Sequence, residues 1–433
     1  MSLSSKEKEV LGRIHGNEVA ELAVELGSRR SPDGHEGEVG QFILGWLQGR
    51  GFNITSQEVA TKRYNAVGVL PGTGGGLNLL FNSHMDTEFQ FDPDDIWHHR
   101  DTDPIYYRSW IEGDRAYGRD VLNDKGPMAC FMMASQAIKE SGLQLPGDIL
   151  LTMVVGEMSL TPVDEFQGPK YAGIGGGGYY LVNHGVTADY AIVAEDTNYI
   201  PTWVECGDVR FKLTVLGEKL YTPLIYHPDR MEEDPSAIIK MSTVIQALTQ
   251  WARDFENQHR YEFALGGYSG VSGGKVNISA IRGGLPYFGI FSPGVCSLYI
   301  HIYFPPNTTP DQVQEELEGF LKGLGVKVKV EKYASAPGAE GKGVEPLLKA
   351  IDIAHGKVFG NSLPPRKAPQ PLSSMWRDVN CFNHVGIPAI TYGPPAHYYS
   401  EARGAEEFFT FQEMETMASL YALIAMDICS QRK

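Results

Sequence analysis

The sequence predicts an α/β fold, with a core of alternating helices and buried strands interrupted by a smaller α+β lid. Three observations carry this. Strand-length apolar runs alternate with amphipathic helical stretches up to residue 206. A two-residue alternation sets in at 207–217 (GDVRFKLTVLG), followed by a strand–helix–strand–strand–helix order. Core-like character returns after residue 328. At 433 residues the chain exceeds one ordinary core, so two domains are expected. The division read is 1–206 with 329–433 for the core domain, and 207–328 for the lid.

The elements follow in order. In residues 6–30, Val10, Ile14, Val19, Leu22 and Leu26 recur near helical spacing. Residues 36–50 form a second amphipathic helix, stopped by Gly51. Strands at 65–70 and 77–82 flank PGTGGG, a turn composition. A helix follows Lys125, and a buried strand at 149–155 follows a PGD turn. Beyond 207–217 come a helix at 235–257 and strands at 275–282 and 295–304. The next helix opens at Thr309, which can cap, and Pro310, which suits the first turn. Helices at 344–359 and near 377–385, a strand at 389–392 and a helix from Phe411 close the chain.

Composition narrows the function. The net charge of −16 repels phosphate backbones, so no nucleic-acid partner is expected. A local arginine or metal still permits an anionic substrate. No apolar run reaches the roughly 18–20 residues of a membrane span, so no membrane partner is expected either. The opening MSLSSKEKEV lacks the apolar centre of a signal peptide. Five scattered cysteines without a CxxC read as buried thiols in a reducing cytoplasm, not as a thiolate metal site.

Five segments carry chemistry. NSHMDT sets His84 and Asp86 two residues apart, so an extended chain points them the same way. An imidazole can bind metal while a nearby carboxylate orients it; a strand-end histidine with a turn-forming aspartate is the plainer alternative. YGRDVLNDKG places Asn123 and Asp124 before a helix, where either can also be a simple cap. In VVGEMS, Glu157 follows a buried strand, and in ADYAIVAEDTN, Glu195 ends another. GPPAHYYSE brings His397 after a strand. Together they set His, Asn/Asp, Glu, Glu and His at successive strand ends, where α/β folds place chemistry. Such a set suits a divalent metal.

NSHMDT, YGRDVLNDKG and GIPAITYGPPAHYYSE, in this order and spacing, resemble the motifs of an amidohydrolase family. That family includes acetylornithine deacetylase, succinyl-diaminopimelate desuccinylase, aminoacylase and glutamate-releasing carboxypeptidases. The resemblance spans about residues 10–430. It implies a mixed-sheet, metallopeptidase-like catalytic domain with two adjacent metals and a lid that makes homodimers or higher homo-oligomers. It further implies Glu157 as general base for a metal-bound water, Asp86 as its catalytic companion, and His84, Asn123 and Glu195 as metal ligands. His397 matches the family's final metal ligand and is expected at the substrate.

The departures refine this. Asn123 stands where the family has an aspartate bridging both metals. Glu157–Met158 stands where it has two glutamates; a register using Gly156–Glu157 is the alternative. A thioether is a poor ligand for a hard or borderline cation. One loosely held divalent transition metal (Mn, Zn or Co) per chain is therefore expected. The family's lid histidine, near GxxxH, is Tyr221 in GEKLYT, with His227 six residues on; both are expected at the substrate. Arg377, in WRDVN, is a candidate fork for a substrate carboxylate, and Arg282 a second, though either can be a surface ion pair.

The expected activity is hydrolysis of a C–N bond in a small, carboxylate-bearing substrate. The specific reading is an aromatic-amine aminohydrolase of the nitroanthranilate type, releasing ammonia, since that reaction needs no carbonyl-polarising histidine. Trp97, Trp110, Tyr398 and Tyr399 are candidates to stack on such a ring, or simply to pack. The alternatives are an N-acyl amino acid deacylase or dipeptidase, and a non-catalytic binding homologue. AGIGGGGYYL lacks the context of a phosphate cradle and reads as an active-site loop.

Overall fold

Two strands, Leu79–His84 and Ile149–Val154, are buried along their whole length, which requires cover on both faces. A computed structural model describes residues 2–87, 108–158, 173–285, 289–360, 366–368, 372–395 and 407–433. In it these strands lie inside a mixed sheet ordered Asn53–Ala60, Arg63–Leu70, Ile149–Val154, Leu79–His84, Tyr190–Val193, Ala389–Thr391. The last four run parallel, and the first two pair antiparallel.

Side-chain alternation sorts the two covers. Leu79, Phe81, Ile149, Leu151 and Met153 enter the larger core, with helices Gly16–Gly27, Gly126–Glu140 and Phe411–Ser430. There Phe81 stacks on Phe131 at 5.7 Å and meets the edge of Tyr421 at 5.2 Å. Leu80, Leu150 and Val154 face the other way, towards Leu181, Val379 and Phe382 of helices Gly176–Asn183 and Val379–His384. Because the four strands are parallel, their carboxyl ends share one edge of the sheet. His84, Glu157 and Glu195 emerge there together.

A second sheet is antiparallel throughout, ordered Lys275–Gly283, Val295–Phe304, Gly207–Leu216, Val328–Ala336. Val209, Phe211, Leu213 and Val215 pack under helices Ala237–Gln258 and Pro310–Lys322, giving a separate hydrophobic core. Thr309 caps the latter helix in a capping box with Gln312, as its sequence predicts.

Several elements differ from the sequence reading. The fourth strand carries the second sheet on to Ala336, past the expected boundary at 328. Residues 6–30 form two helices, Ser5–Leu11 and Gly16–Gly27. Asn53–Ala60 is an exposed edge strand whose polar residues give no apolar signal. The hairpin Arg260–Leu265/Tyr268–Gly273 leaves the second sheet and joins the larger core. Its Phe263 packs edge-on against Trp203 at 5.0 Å, and the Tyr268 hydroxyl donates to Asp352 at 2.7 Å. Trp110 stacks on Tyr117 at 5.0 Å, within a small sheet that also holds Phe408–Thr410. Among the described residues no helix is long and apolar enough to cross a membrane. All five cysteines are free and buried.

Candidate metal and catalytic centre

His84 is the last residue of its strand and only 2 % exposed. Its Nδ1 lies 2.6 Å from the backbone carbonyl of Asp86, and its Nε2 lies 2.9 Å from Asn123 Oδ1. The same Nε2 is 3.8 Å from Glu195 Oε1 and 4.0 Å from Glu157 Oε2. Burial works against a charged imidazole, but Glu157, Asp86, Asp124 and Glu195 outweigh it and hold His84 well above its ordinary pKa.

Asp124 completes the group. Ser83 Oγ donates to its Oδ2 at 2.6 Å, while the buried Oδ1 has no hydrogen-bond partner among the described residues. Burial first, then the charge of Glu195, pushes its pKa well up. Donor atoms of His84, Asp124 and Glu195 lie within 4.8 Å of one another. One imidazole and two carboxylates, one of them with an orphaned oxygen, suit a divalent cation, which would relieve the clustered negative charge. The sequence offered Asn123 and Asp124 together, and the family resemblance set Asn123 alone in this place. Both line the site, and the adjacent acid was the available signal.

Glu157 is 8 % exposed, and burial raises its pKa well above the carboxylate range, with His84 opposing and Glu195 adding to the rise. Its position is held by Asp86, whose carboxylate accepts the amide N–H of Glu157 at 3.1 Å and of Met158 at 2.7 Å. Asp86, expected as the catalytic companion of Glu157, meets that residue through its backbone amide. Its carboxylate stands 3.8 Å from His84 Nδ1, so its backbone carbonyl orients the ring and its side chain holds the turn that carries Glu157. Two further buried acids escaped the sequence reading because their partners are remote in the chain. Asp378 accepts from Asn82 Nδ2 at 3.1 Å and is raised to about 7 by burial, against the pull of His84. Glu205, on the strand Val204–Glu205, is raised to about 7 by burial, against the pull of Arg377.

The glycine run acts through the backbone. Gly175 takes φ 72°, and the amides of Gly176 and Gly177 donate to Gly156 O at 3.0 Å and Val155 O at 2.9 Å. A Cβ at Gly177 would meet Val155 O at 2.1 Å. Glycine thus lets the helix Gly176–Asn183 seat on the strand end that carries Glu157.

Arg377 departs from its expected role as an open carboxylate fork. It is 3 % exposed. Its Nη1 donates to both carboxylate oxygens of Glu205 at 3.1 Å and to Leu372 O at 2.7 Å, while its Nε stands 3.7 Å from Glu195 Oε2. The guanidinium serves protein carboxylates. Arg282 lies on the edge strand of the second sheet and donates to Ile281 O at 2.8 Å. Tyr221 packs against Phe291 at 5.9 Å, and His227 Nδ1 is 3.4 Å from Asp234 Oδ2. Both partners lie in residues 207–328. His397, Trp97, Tyr398 and Tyr399 lie outside the described residues.

Residues 80–427 match the peptidase family M20/M25/M40. The chain is 26% identical over 444 residues to the N-formyl-4-amino-5-aminomethyl-2-methylpyrimidine deformylase of Bacillus subtilis (strain 168), covering 97% of this chain and 96% of that one. Its fold is similar to a tripeptidase from Staphylococcus aureus subsp. aureus mu50, with TM-score 0.70 and 17% identity over 97% of this chain and 100% of that one. It is also similar to the Bacillus subtilis YXEP protein, a dinuclear metal binding peptidase, with TM-score 0.56 and 13% identity over 95% and 97% of the two chains. The chain belongs to peptidase family M20/M25/M40 and is a metal-dependent hydrolase acting on C–N bonds.

Proposed function

We propose that this chain removes a small acyl group from the nitrogen of a small molecule, with Glu157 as general base and one divalent transition metal (Mn, Zn or Co). His84, Glu195 and the Asn123–Asp124 pair would hold the metal. The observation that carries this is Glu157 Oε2, buried and 4.0 Å from His84 Nε2, beside a donor set with an orphaned carboxylate oxygen. A bound cation supplies a Lewis acid and lowers the pKa of water. Glu157 takes the proton of the attacking water as its oxygen bonds to the carbonyl carbon. It returns that proton to the nitrogen as the C–N bond breaks. Asn123 and Met158 bring no charge to the site, and this supports one ion rather than two.

Full-length similarity to a deformylase of an aminomethylpyrimidine supports an N-formyl or other short N-acyl substrate. The nitroanthranilate-type aminohydrolase is the second reading, supported by the same neutral residues at Asn123 and Met158. A panel of formylated aminomethylpyrimidines, N-acyl amino acids, dipeptides and amino-nitrobenzoates, with added Mn²⁺, Zn²⁺ or Co²⁺, tests both. Carboxylate release without ammonia is expected. Ammonia from the aromatic amines would move the conclusion to the second reading. No turnover at all, with metal bound, would leave a binding homologue.

The same reading includes a homodimer or higher homo-oligomer through the lid at 207–328. Leu216, Leu224 and Ile290 are exposed to 68, 67 and 57 % at one end of the second sheet, an apolar area that water disfavours. His227, exposed within this region, would then face a neighbouring chain. Light scattering on the purified protein tests this, and a monomer counts against it. Five free thiols accord with a cytoplasmic location.

A further inference from the structure

Glu195 presents its two oxygens to different partners. Oε1 lies 3.8 Å from His84 Nε2, and Oε2 lies 3.7 Å from Arg377 Nε. Arg377 is itself immobilised. Its Nη1 holds both oxygens of Glu205 at 3.1 Å, and Thr202 Oγ1 donates to Glu205 Oε1 at 2.7 Å. Glu205 stands on the two-residue strand Val204–Glu205, which pairs with Ala339–Glu340 where the chain crosses between the two cores. Two hydrogen bonds to Cys206 lock the Arg377 segment onto that crossover. The Cys206 amide donates to Met375 O at 2.8 Å, and Asn380 Nδ2 donates to Cys206 O at 3.0 Å.

We infer that Arg377, anchored on Glu205, is a positioning residue that fixes the rotation of Glu195 and keeps Oε1 turned towards His84. A glutamate has three rotatable bonds, so a ligand oxygen held only by its own chain loses affinity to disorder. A planar guanidinium with one edge committed to Glu205 presents its Nε in one direction only. Outer partners of this kind typically set metal affinity by 10- to 100-fold. The inference rests on the reading that Glu195 holds the metal.

Metal-free full-length protein titrated with Mn²⁺ by calorimetry separates the two claims. Wild type is expected to bind; if it does not, the metal-site reading falls, and the inference with it. Arg377→Met strands Glu205 as a buried unpaired carboxylate and can fail to fold. The double variant Arg377→Met/Glu205→Met removes both charges and is the decisive protein. It is expected to bind Mn²⁺ at least tenfold more weakly than wild type, with Arg377→Lys falling between. A folded double variant binding within tenfold of wild type overturns the inference while leaving the metal site standing. So does a loss confined to thermal stability.

Discussion

His84 Nε2 lies 2.9 Å from Asn123 Oδ1, while Nδ1 of the same ring lies 2.6 Å from the Asp86 carbonyl. Both ring nitrogens thus face oxygen atoms, an arrangement that favours the protonated ring and agrees with the raised pKa of His84. A cation at Nε2 must expel a proton bound there. Since the His84 pKa is raised well above 6.5, metal affinity rises as pH climbs through that raised value and weakens below it. Calorimetry in buffers of different ionisation enthalpy should show proton release on metal binding at neutral pH, since the raised pKa values of His84 and Asp124 both favour protons that a cation must displace. Proton-independent binding would contradict this arrangement.

Asn123→Asp adds an anion beside His84. Metal binding should tighten by tenfold or more, since a charged oxygen replaces a neutral one. Together with Met158→Glu, metal content measured by mass spectrometry should rise towards two ions per chain. Unchanged content in the double variant would remove the explanation for a single ion.

Glu157→Gln keeps the shape and the backbone contacts with Asp86 but removes the base. Turnover should fall by roughly 10²–10⁴-fold. KM and metal content should stay near wild type. Equal losses in metal binding would instead make Glu157 a ligand.

Gly177→Ala forces a methyl against Val155 O, where a Cβ would lie at 2.1 Å. Relaxation must move either the helix Gly176–Asn183 or the strand end that carries Glu157. A stability loss of about 1–3 kcal/mol in urea unfolding is expected, with reduced turnover. Wild-type stability would show that the contact yields freely.

His355 is buried against the Tyr392 hydroxyl, and burial lowers its pKa from 6.5 to about 4. The folded chain thus resists its protonation while the unfolded chain accepts it. Its contribution to stability is intact above pH 6.5 and drains away between 6.5 and 4. The slope from this group is at most about 1.4 kcal/mol per pH unit. His355→Gln should flatten the stability profile in that window, as read by denaturant midpoints. An unchanged profile would assign the acid sensitivity elsewhere.

Local order alone determined a good deal here. The α/β class, the apolar strand at 149–155, the Thr309 cap and the candidacy of His84, Glu157 and Glu195 were all legible. Each depends on residues within one short window: a periodicity, a cap three residues from its partner, an acid at the end of an apolar run. Tertiary structure decided the rest. It set Asp124 beside Asn123 at the site, turned the Asp86 carboxylate onto two backbone amides, and committed Arg377 to Glu205, 172 residues away in the chain. It also folded the 260–273 hairpin onto the larger core. A side chain's charge and shape are written in its own position. The partner that exhausts its hydrogen bonds is chosen only when distant strand ends come to lie side by side.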